Sequence, residues 1–316
     1  MTDLAKTPFV RELASSDKKI RDKATDSLSL FLRSRTDLSL LDLLKLWKGL
    51  FFCFYHSDRP LTQQALARNL TYTLVPSLPQ TTVHRFLRAF WITLGREFHA
   101  IDRLRLDKYL YLIRSHVGVA FQVFLKNNNP ATANGANKKR KREETTASKK
   151  RSKSKSKSKS KHADEDEDKE EQEDVTNSNW ADLQAYLDII TEGPLHPLNF
   201  DPSQPKTDEE NGVIPMPHGP DGLRYHLLDI WIDEIEKALE IDPESGKPVG
   251  EVPMEMLLAP VERLKKESAH RPVRIRAGET LDDERLVEWG FKERKADKAG
   301  SEDEESEEEW GGFGDD

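Results

Sequence analysis

Across residues 1–126, apolar positions recur every three to four residues in blocks separated by short breakers, the signature of successive amphipathic helices. Thr7-Pro8 opens a short one, with proline at a first helical position. Ser16 or Asp17 is placed to cap the next, whose Ile20, Ala24, Leu28, Phe31 and Leu32 form a single stripe. The run "SLLDLLKLWKGLFFCFYHS" (Ser39–Ser57) is apolar nearly all round, which predicts a central helix. Pro60 starts a further helix through Leu70 and Leu74, and Pro76 and Pro79 stop it. "TTVHRFLRAFWITLGREF" predicts another, and one more begins at Ile101 and runs toward Lys126. Strand-like alternation and Asn-Gly hairpin turns are missing from this region.

The start of that last helix, "IDRLRLDKYLYLIR" (Ile101–Arg114), poses a question of its own. At 100° per residue, Arg103, Asp107 and Arg114 share a narrow polar arc, while Asp102, Arg105 and Lys108 fall inside the apolar one. Asp102 and Arg105 are spaced for an ion pair across one turn, whereas Arg105 and Lys108 repel at the same spacing. Each cation therefore requires a carboxylate or a carbonyl on a neighbouring helix, as a strut that sets helix register. The alternative is that Arg105 or Lys108 reaches a partner through a gap in the packing.

Beyond Lys126 the pattern breaks. Residues 127–179 are low in complexity, basic first and acidic afterwards, and are expected to form a solvated, disordered insertion. Helical periodicity resumes at "NWADLQAYLDII" (Asn179–Ile190), with Trp180, Leu183, Leu187 and Ile190 on one face. A proline-rich connection from Pro194 to Pro220 leads to the amphipathic "LRYHLLDIWIDEIEKAL" (Leu223–Leu239). "MEMLLAPVERLKKE" predicts one more helix, kinked or split at Pro260. The expected fold is all-α, an irregular α-solenoid or HEAT-like stack of antiparallel helices. Its parts are a basic helical stretch over 1–126, the insertion 127–179, an acidic helical stretch of the same domain over 180–290, and a disordered acidic tail over 291–316.

Charge sharpens this division. The net charge of −8 is the resultant of +9 over residues 1–126, +3 over 127–179, −11 over 180–300 and −9 over 301–316. Such asymmetry suggests a polyanion as one partner and something basic as another; an unevenly charged solvated surface is the plainer reading. The single cysteine, Cys53, excludes an internal disulfide and points to a reducing intracellular compartment. No apolar run approaches the roughly 18–20 residues of a membrane span, and the N-terminus lacks the apolar core of a secretory signal.

Enzyme chemistry finds little support. There is no phosphate-cradling glycine loop, nucleophile elbow or metal-spaced Cys/His group; His84, His99 and His116 fit helix surfaces or edges. Asp229, Asp233 and Glu236 share a helical face, which suits a paired-carboxylate site less well than a solvated face. No cofactor, metal or small-molecule substrate is expected. Phosphate binding is better supported. Lys18, Lys19, Arg21 and Lys23 crowd the start of one helix, and Arg85, Arg88 and Arg96 recur on another, so these are the candidate RNA-backbone contacts. Lys138, Lys139, Arg140, Lys141 and Arg142, with Lys149, Lys150 and Arg151, form two clusters suited to a nuclear import receptor. Ser301 and Ser306 are each followed by three acidic residues, a context for acid-directed kinases. Trp310 and Phe313 in the same tail are candidate docking anchors.

Three stretches, "LLKLWKGLFFCFYHSDRPLTQQALA" (Leu43–Ala67), "FWITLGREFHAIDRLRLDKYLYLIR" (Phe90–Arg114) and "YHLLDIWIDEIEKAL" (Tyr225–Leu239), resemble the ribosomal RNA processing protein one family of nucleolar factors. The middle stretch carries the resemblance most specifically. It implies a non-catalytic, all-helical nucleolar scaffold in assembly of the large ribosomal subunit, in contact with pre-ribosomal RNA and other assembly factors. Two departures limit what carries over. About 50 charged residues interrupt the passage after Lys126, and a short acidic tail stands where animal relatives have a long basic extension. Tail-dependent RNA binding is therefore not transferred. A chaperone for basic nuclear proteins, motivated by the acidic segments, is the alternative, and an RNA-cleaving or RNA-modifying enzyme a third reading.

Overall fold

The computed structural model describes residues 8–126, 180–199, 204, 207–208 and 214–293. The insertion clusters at 138–151, and Ser301, Ser306, Trp310 and Phe313 in the tail, lie outside them. The first half contains α1 (Pro8–Leu13), α2 (Lys18–Ser34), α3 (Leu40–Tyr55), α4 (Pro60–Arg68), α5 (Gln80–Glu97) and α6 (Arg103–Lys126). The second contains α7 (Ala181–Glu192), α8 (Asp221–Ala238), α9 (Met254–Glu267), α10 (Arg271–Leu281) and α11 (Glu284–Glu288). No strand forms among the described residues, only isolated bridging such as Ile241 with Pro248. None of the described helices is long and apolar enough to cross a membrane.

Local chemistry accounts for where the helices start. The Asp17 side chain accepts from the Lys19 backbone N–H at 2.8 Å to cap α2. Ser39 Oγ accepts from Asp42 N at 3.1 Å and donates to the Asp42 carboxylate, capping α3. Pro60 begins α4, whose end widens into a π-turn over Asn69–Thr73 closed by Leu74 N on Asn69 O. That turn leaves both Leu70 and Leu74 buried.

The helices pack in series. Helix α1 lies on α2 and α3, α3 on α5, α6 on α4 and α8, α7 on α5, α6 and α9, and α10 on α8 and α9. The centre of the stack is the second half of α6, where Val117, Val119, Ala120, Phe121 and Phe124 are buried. Phe121 meets Trp231 of α8 edge-on at 5.1 Å, and Phe124 meets Tyr186 of α7 at 5.6 Å. Gly118 leaves room for polar side chains on α6: a Cβ there would stand 2.5 Å from Glu234 Oε2 of α8 and 2.6 Å from the Tyr72 hydroxyl.

The oppositely charged halves pair with each other where α5 meets α7 and where α6 meets α8. The Arg88 guanidinium donates to both carboxylate oxygens of Glu192 at 2.6 and 2.7 Å. Arg114 reaches Asp233 at 2.9 Å and the buried Glu234. His84 and Gln80 engage Asp182, and His226 Nε2 meets Leu110 O at 3.0 Å. Inside the second half, Arg224 is fully buried and holds the proline-rich connection through His196 O and Leu198 O at 2.7–3.0 Å.

Several sequence expectations are revised here. Helix α6 begins at Arg103 rather than Ile101, because the Asp102 carboxylate caps it by accepting from Arg105 N at 3.0 Å. Leu104, assigned to the apolar arc, is 94% exposed, since α6's first turn runs past the corner that buries Lys108 one turn later. Pro260 does not split α9, which is continuous around it. Helices α10 and α11 were not expected at all. Asp229, Asp233 and Glu236 do not form a free solvated face, because Arg276, Arg114 and Arg285 pair with them.

His116 is the largest revision. It lies fully buried, not at an edge, stacked on Phe90 at 3.7 Å and edge-on to Trp47 at 5.2 Å. Nδ1 sits 3.0 Å from Leu112 O, and Nε2 has no hydrogen-bond partner among the described residues. Burial pulls its pKa down to about 3, so the imidazole is neutral in the folded state at all ordinary pH. The unfolded chain takes up a proton there near pH 6.5, so stability falls as pH drops from about 6.5 toward 3. His116 should account for roughly 3 kcal/mol of lost stability between pH 6.5 and 4. Urea titrations of His116→Phe should show a flatter acid limb over that window; an unchanged slope would contradict the buried, neutral ring.

Candidate functional site

The charged corner that joins α3, α4 and α6 is built from three sequence segments. Where α3 ends, its last carbonyls have no helical partners. Lys108 of α6 supplies them: Nζ donates to Tyr55 O at 2.8 Å, Ser57 O at 3.1 Å and Asp58 Oδ1 at 3.0 Å. All three ammonium protons are thereby satisfied at a residue that is 5% exposed, and a cation sits at the negative end of α3. Burial draws the Lys108 pKa down, and the Asp58 carboxylate partly offsets that.

Arg105 closes the same corner from outside. Its guanidinium grips Asp58 through Nε at 3.1 Å and a terminal nitrogen at 3.2 Å, and donates to Asp102 at 2.6 Å. It also lies 4.3 Å over the Tyr55 ring, whose hydroxyl donates to Asp102 at 3.1 Å. The hydrogen bonds from Arg105 hold both Asp58 and Asp102 below the usual carboxylate range. Asp102, Arg105 and Lys108 are thus brought together, with Asp58 as a shared acceptor about 50 residues upstream. Nothing in the sequence pattern singles out Asp58, which sits in the "HSDRP" breaker.

The predicted phosphate contacts separate into two groups. Arg21 is 4% exposed and points inward, donating to Ser15 O at 2.9 Å, Ser16 O at 2.8 Å and His56 O at 3.2 Å. Ile20, assigned to the buried stripe, is instead 41% exposed, because Arg21 takes the inward place. Lys18 pairs with Asp22. Arg85 donates to Leu38 O at 2.7 Å and Thr36 O at 3.1 Å, and Arg88 is held by Glu192. Lys19, Lys23 and Arg96 remain exposed, with no side-chain partner among the described residues.

The corner adds two cations that spacing did not single out. Because Arg21 binds His56 O and Arg105 binds Asp58, the starts of α2, α4 and α6 gather at one end of the stack. Arg59 and Arg103, both exposed, flank that end together with Lys19 and Lys23. Three helix N-termini converge there, and helix N-termini favour anions. The opposing C-terminus of α3 is covered by Lys108 and Arg21. Among the described residues, no group of three or more His, Cys, Asp or Glu could hold a metal ion.

This geometry ranks the two embedded cations. Lys108→Met should cost about 2–3 kcal/mol of stability, because it strands buried carbonyls and Asp58. Arg105→Met should cost less, since Arg105 and its acceptors are in part hydrated. Denaturant unfolding of the two variants checks the order; a larger loss in Arg105→Met would remove Lys108 from its place as the principal strut.

The family model of the nucleolar protein Nop52 matches residues 4–136 and 208–312. Ribosomal RNA processing protein 1 homolog B of Homo sapiens is 40% identical over 241 residues, 74% of this chain and 23% of that protein. Homolog A of Homo sapiens is 36% identical over 120 residues, 36% of this chain and 26% of that protein. The homolog of Dictyostelium discoideum is 32% identical over 91 residues, 29% of this chain and 18% of that protein. The chain therefore spans about a quarter, or less, of the length of the relatives it matches. The two stretches matched by the family model contain α1 to α6 and α8 to α11, the corner and the α6–α8 contact included. On that match the chain belongs to the Nop52 family of nucleolar proteins.

Proposed function

We propose that this chain is a non-catalytic nucleolar scaffold in ribosome biogenesis, acting in pre-ribosomal RNA processing within precursors of the large subunit. The observation that carries the reading is the 241-residue match to a human protein named for ribosomal RNA processing. The corner at the starts of α2, α4 and α6 is the proposed RNA-backbone surface, with Lys19, Lys23, Arg59 and Arg103 as its contacts. Exposed cations beside helix N-termini suit phosphates in any sequence, and their energetics are those of counterion release. Arg21, Arg85 and Arg88 are removed from the earlier set of contacts because their donors are spent inside the fold. Arg96 stays a candidate on α5. Other assembly factors meet the acidic second half, and the basic clusters at 138–142 and 149–151 engage an import receptor.

Reversing Lys19, Lys23, Arg59 and Arg103 to glutamate should leave the helical content intact and weaken binding to a pre-ribosomal RNA fragment. The slope of log affinity against log salt should shrink by about three. Unchanged affinity and slope would remove the corner from RNA binding. At the level of the whole reading, the chain should co-sediment with large-subunit precursors from nuclear extracts. Release from those particles with retention on histones would instead favour a chaperone for basic proteins.

A further inference from the structure

Two grooves meet at Trp180, the first residue of the second half. One, of about 460 Å³, lies between the ends of α6 and α8 and the turn that follows α8, with Leu239, Val249 and Val252 in its wall. The other, of about 650 Å³, continues past Val252 along the start of α9 to Met256 and Phe291. Val249 and Phe291 are 38% and 39% exposed, large apolar groups at the edge of a continuous apolar trough. Trp180 lines both grooves and is nearly buried, yet its indole N–H has no hydrogen-bond partner among the described residues.

The rim is acidic and unneutralised. Glu240, Glu251, Glu255 and Glu262 are exposed along it, and none is ion-paired among the described residues. Of the lysines that line the grooves, Lys237 pairs with Glu234 at 2.7 Å and Lys292 donates to Leu281 O, and Lys126 stands at the end of α6. Elsewhere on the second half Asp229, Asp233, Glu236 and Asp283 each hold an arginine, while Glu279, Glu284 and Glu288 have no ion pair among the described residues. The trough thus combines apolar walls, an indole N–H and four exposed acids with no ion pair among the described residues.

We propose that this trough docks a short basic linear segment of a partner protein, seated by one or two apolar anchor side chains over Trp180 and Val252. Lysines or arginines flanking the anchors meet Glu240, Glu251, Glu255 and Glu262, and a segment backbone carbonyl accepts from the Trp180 indole. The inference rests on the scaffold reading and specifies what its acidic half recognises. The chain's own insertion is the weaker occupant. Residues 127–179 sum to only +3, and the acidic run at 164–174 lies between the basic clusters and Trp180, nearest the trough along the chain.

The test uses the full chain and three synthetic peptides: Lys-Arg-Leu-Phe-Lys-Lys-Arg, the same length in lysine alone, and a version with glutamate in place of every basic residue. Calorimetry and Trp fluorescence should show the first binding at least tenfold more tightly than oligolysine, and the glutamate peptide not binding. Glu251→Lys combined with Glu255→Lys, both at exposed positions, should weaken the first peptide more than tenfold with circular dichroism unchanged. Equal binding of oligolysine, or no effect of the double variant, would overturn the proposal. Reversing Lys138, Lys139, Arg140, Lys141 and Arg142 to glutamate should leave peptide affinity within threefold. A tenfold gain would overturn it too, by showing the insertion to be the occupant. RNA binding by the double variant should match the parent. Loss of corner RNA binding with peptide binding intact would sink the RNA reading alone.

Discussion

The ammonium of Lys108 on the open end of α3 is the contact on which the arrangement of the first half turns. A helix that ends inside a protein must have its last carbonyls met by something, or the fold bears a desolvation cost at every one of them. Here a side chain from α6, more than 50 residues later, meets Tyr55 O and Ser57 O, and Asp58 in the same turn neutralises it. Arg21 treats His56 O in the same way from α2. The end of one helix is therefore completed by two others, and the register of α2, α3 and α6 is set by where those carbonyls lie. Asp58 shared between Arg105 and Lys108 relieves the repulsion that their spacing on one helix creates.

That constraint also decides which surface is presented. Because the α3 carbonyl end is capped from within, the exposed features of that corner are the starts of α2, α4 and α6 and the cations beside them. Away from that corner, the basic and acidic halves use part of their charge on each other, through Arg88 of α5 with Glu192 of α7 and Arg114 of α6 with Asp233 and Glu234 of α8. Burial of Tyr72 itself raises its hydroxyl to a pKa of about 12, and the neighbouring Glu234 carboxylate adds to the rise. The net charge of each half therefore overstates what is left for partners. What remains includes the exposed cations at the α2–α4–α6 corner and the glutamates around the trough at Trp180.

Helices with a long apolar stripe were legible from the chain: α2 to α6, α7 and α8 form where their periodicity places them, with Ile20 and Leu104 as exposed exceptions. Helices α10 and α11 were not, because "RPVRIRAGETLDDERLVEW" places few apolar residues among many charges. Their stability comes from Val273, Ala277, Leu281 and Leu286 buried in the body of the fold, with α10 against α8 and α9, a contact no local window contains. Pro260 reads in the sequence as a kink or a split because proline removes a helical hydrogen bond. In α9 it is buried between Leu257 and Val261, and packing outweighs that loss. His116 looked like a surface residue by type, and only the surrounding Phe90 and Trp47 rings make it a neutral core group.

By itself the sequence determined the all-helical class, the division into a basic and an acidic half around a charged insertion, and the presence of three charges on a packing face of α6. Those follow from periodicity and composition, which are local properties of the chain. Only the tertiary structure decided what each charge does. Within one cluster of cations on α2, Arg21 faces inward to backbone carbonyls while Lys19 and Lys23 face solvent. Along α6, Leu104 is exposed and Lys108, one turn further on the same face, is buried. The physical reason is that a charge is tolerated inside wherever fixed acceptors wait for it. Those acceptors are helix-end carbonyls and carboxylates brought from segments far away in the chain, so their positions exist only once the helices have stacked.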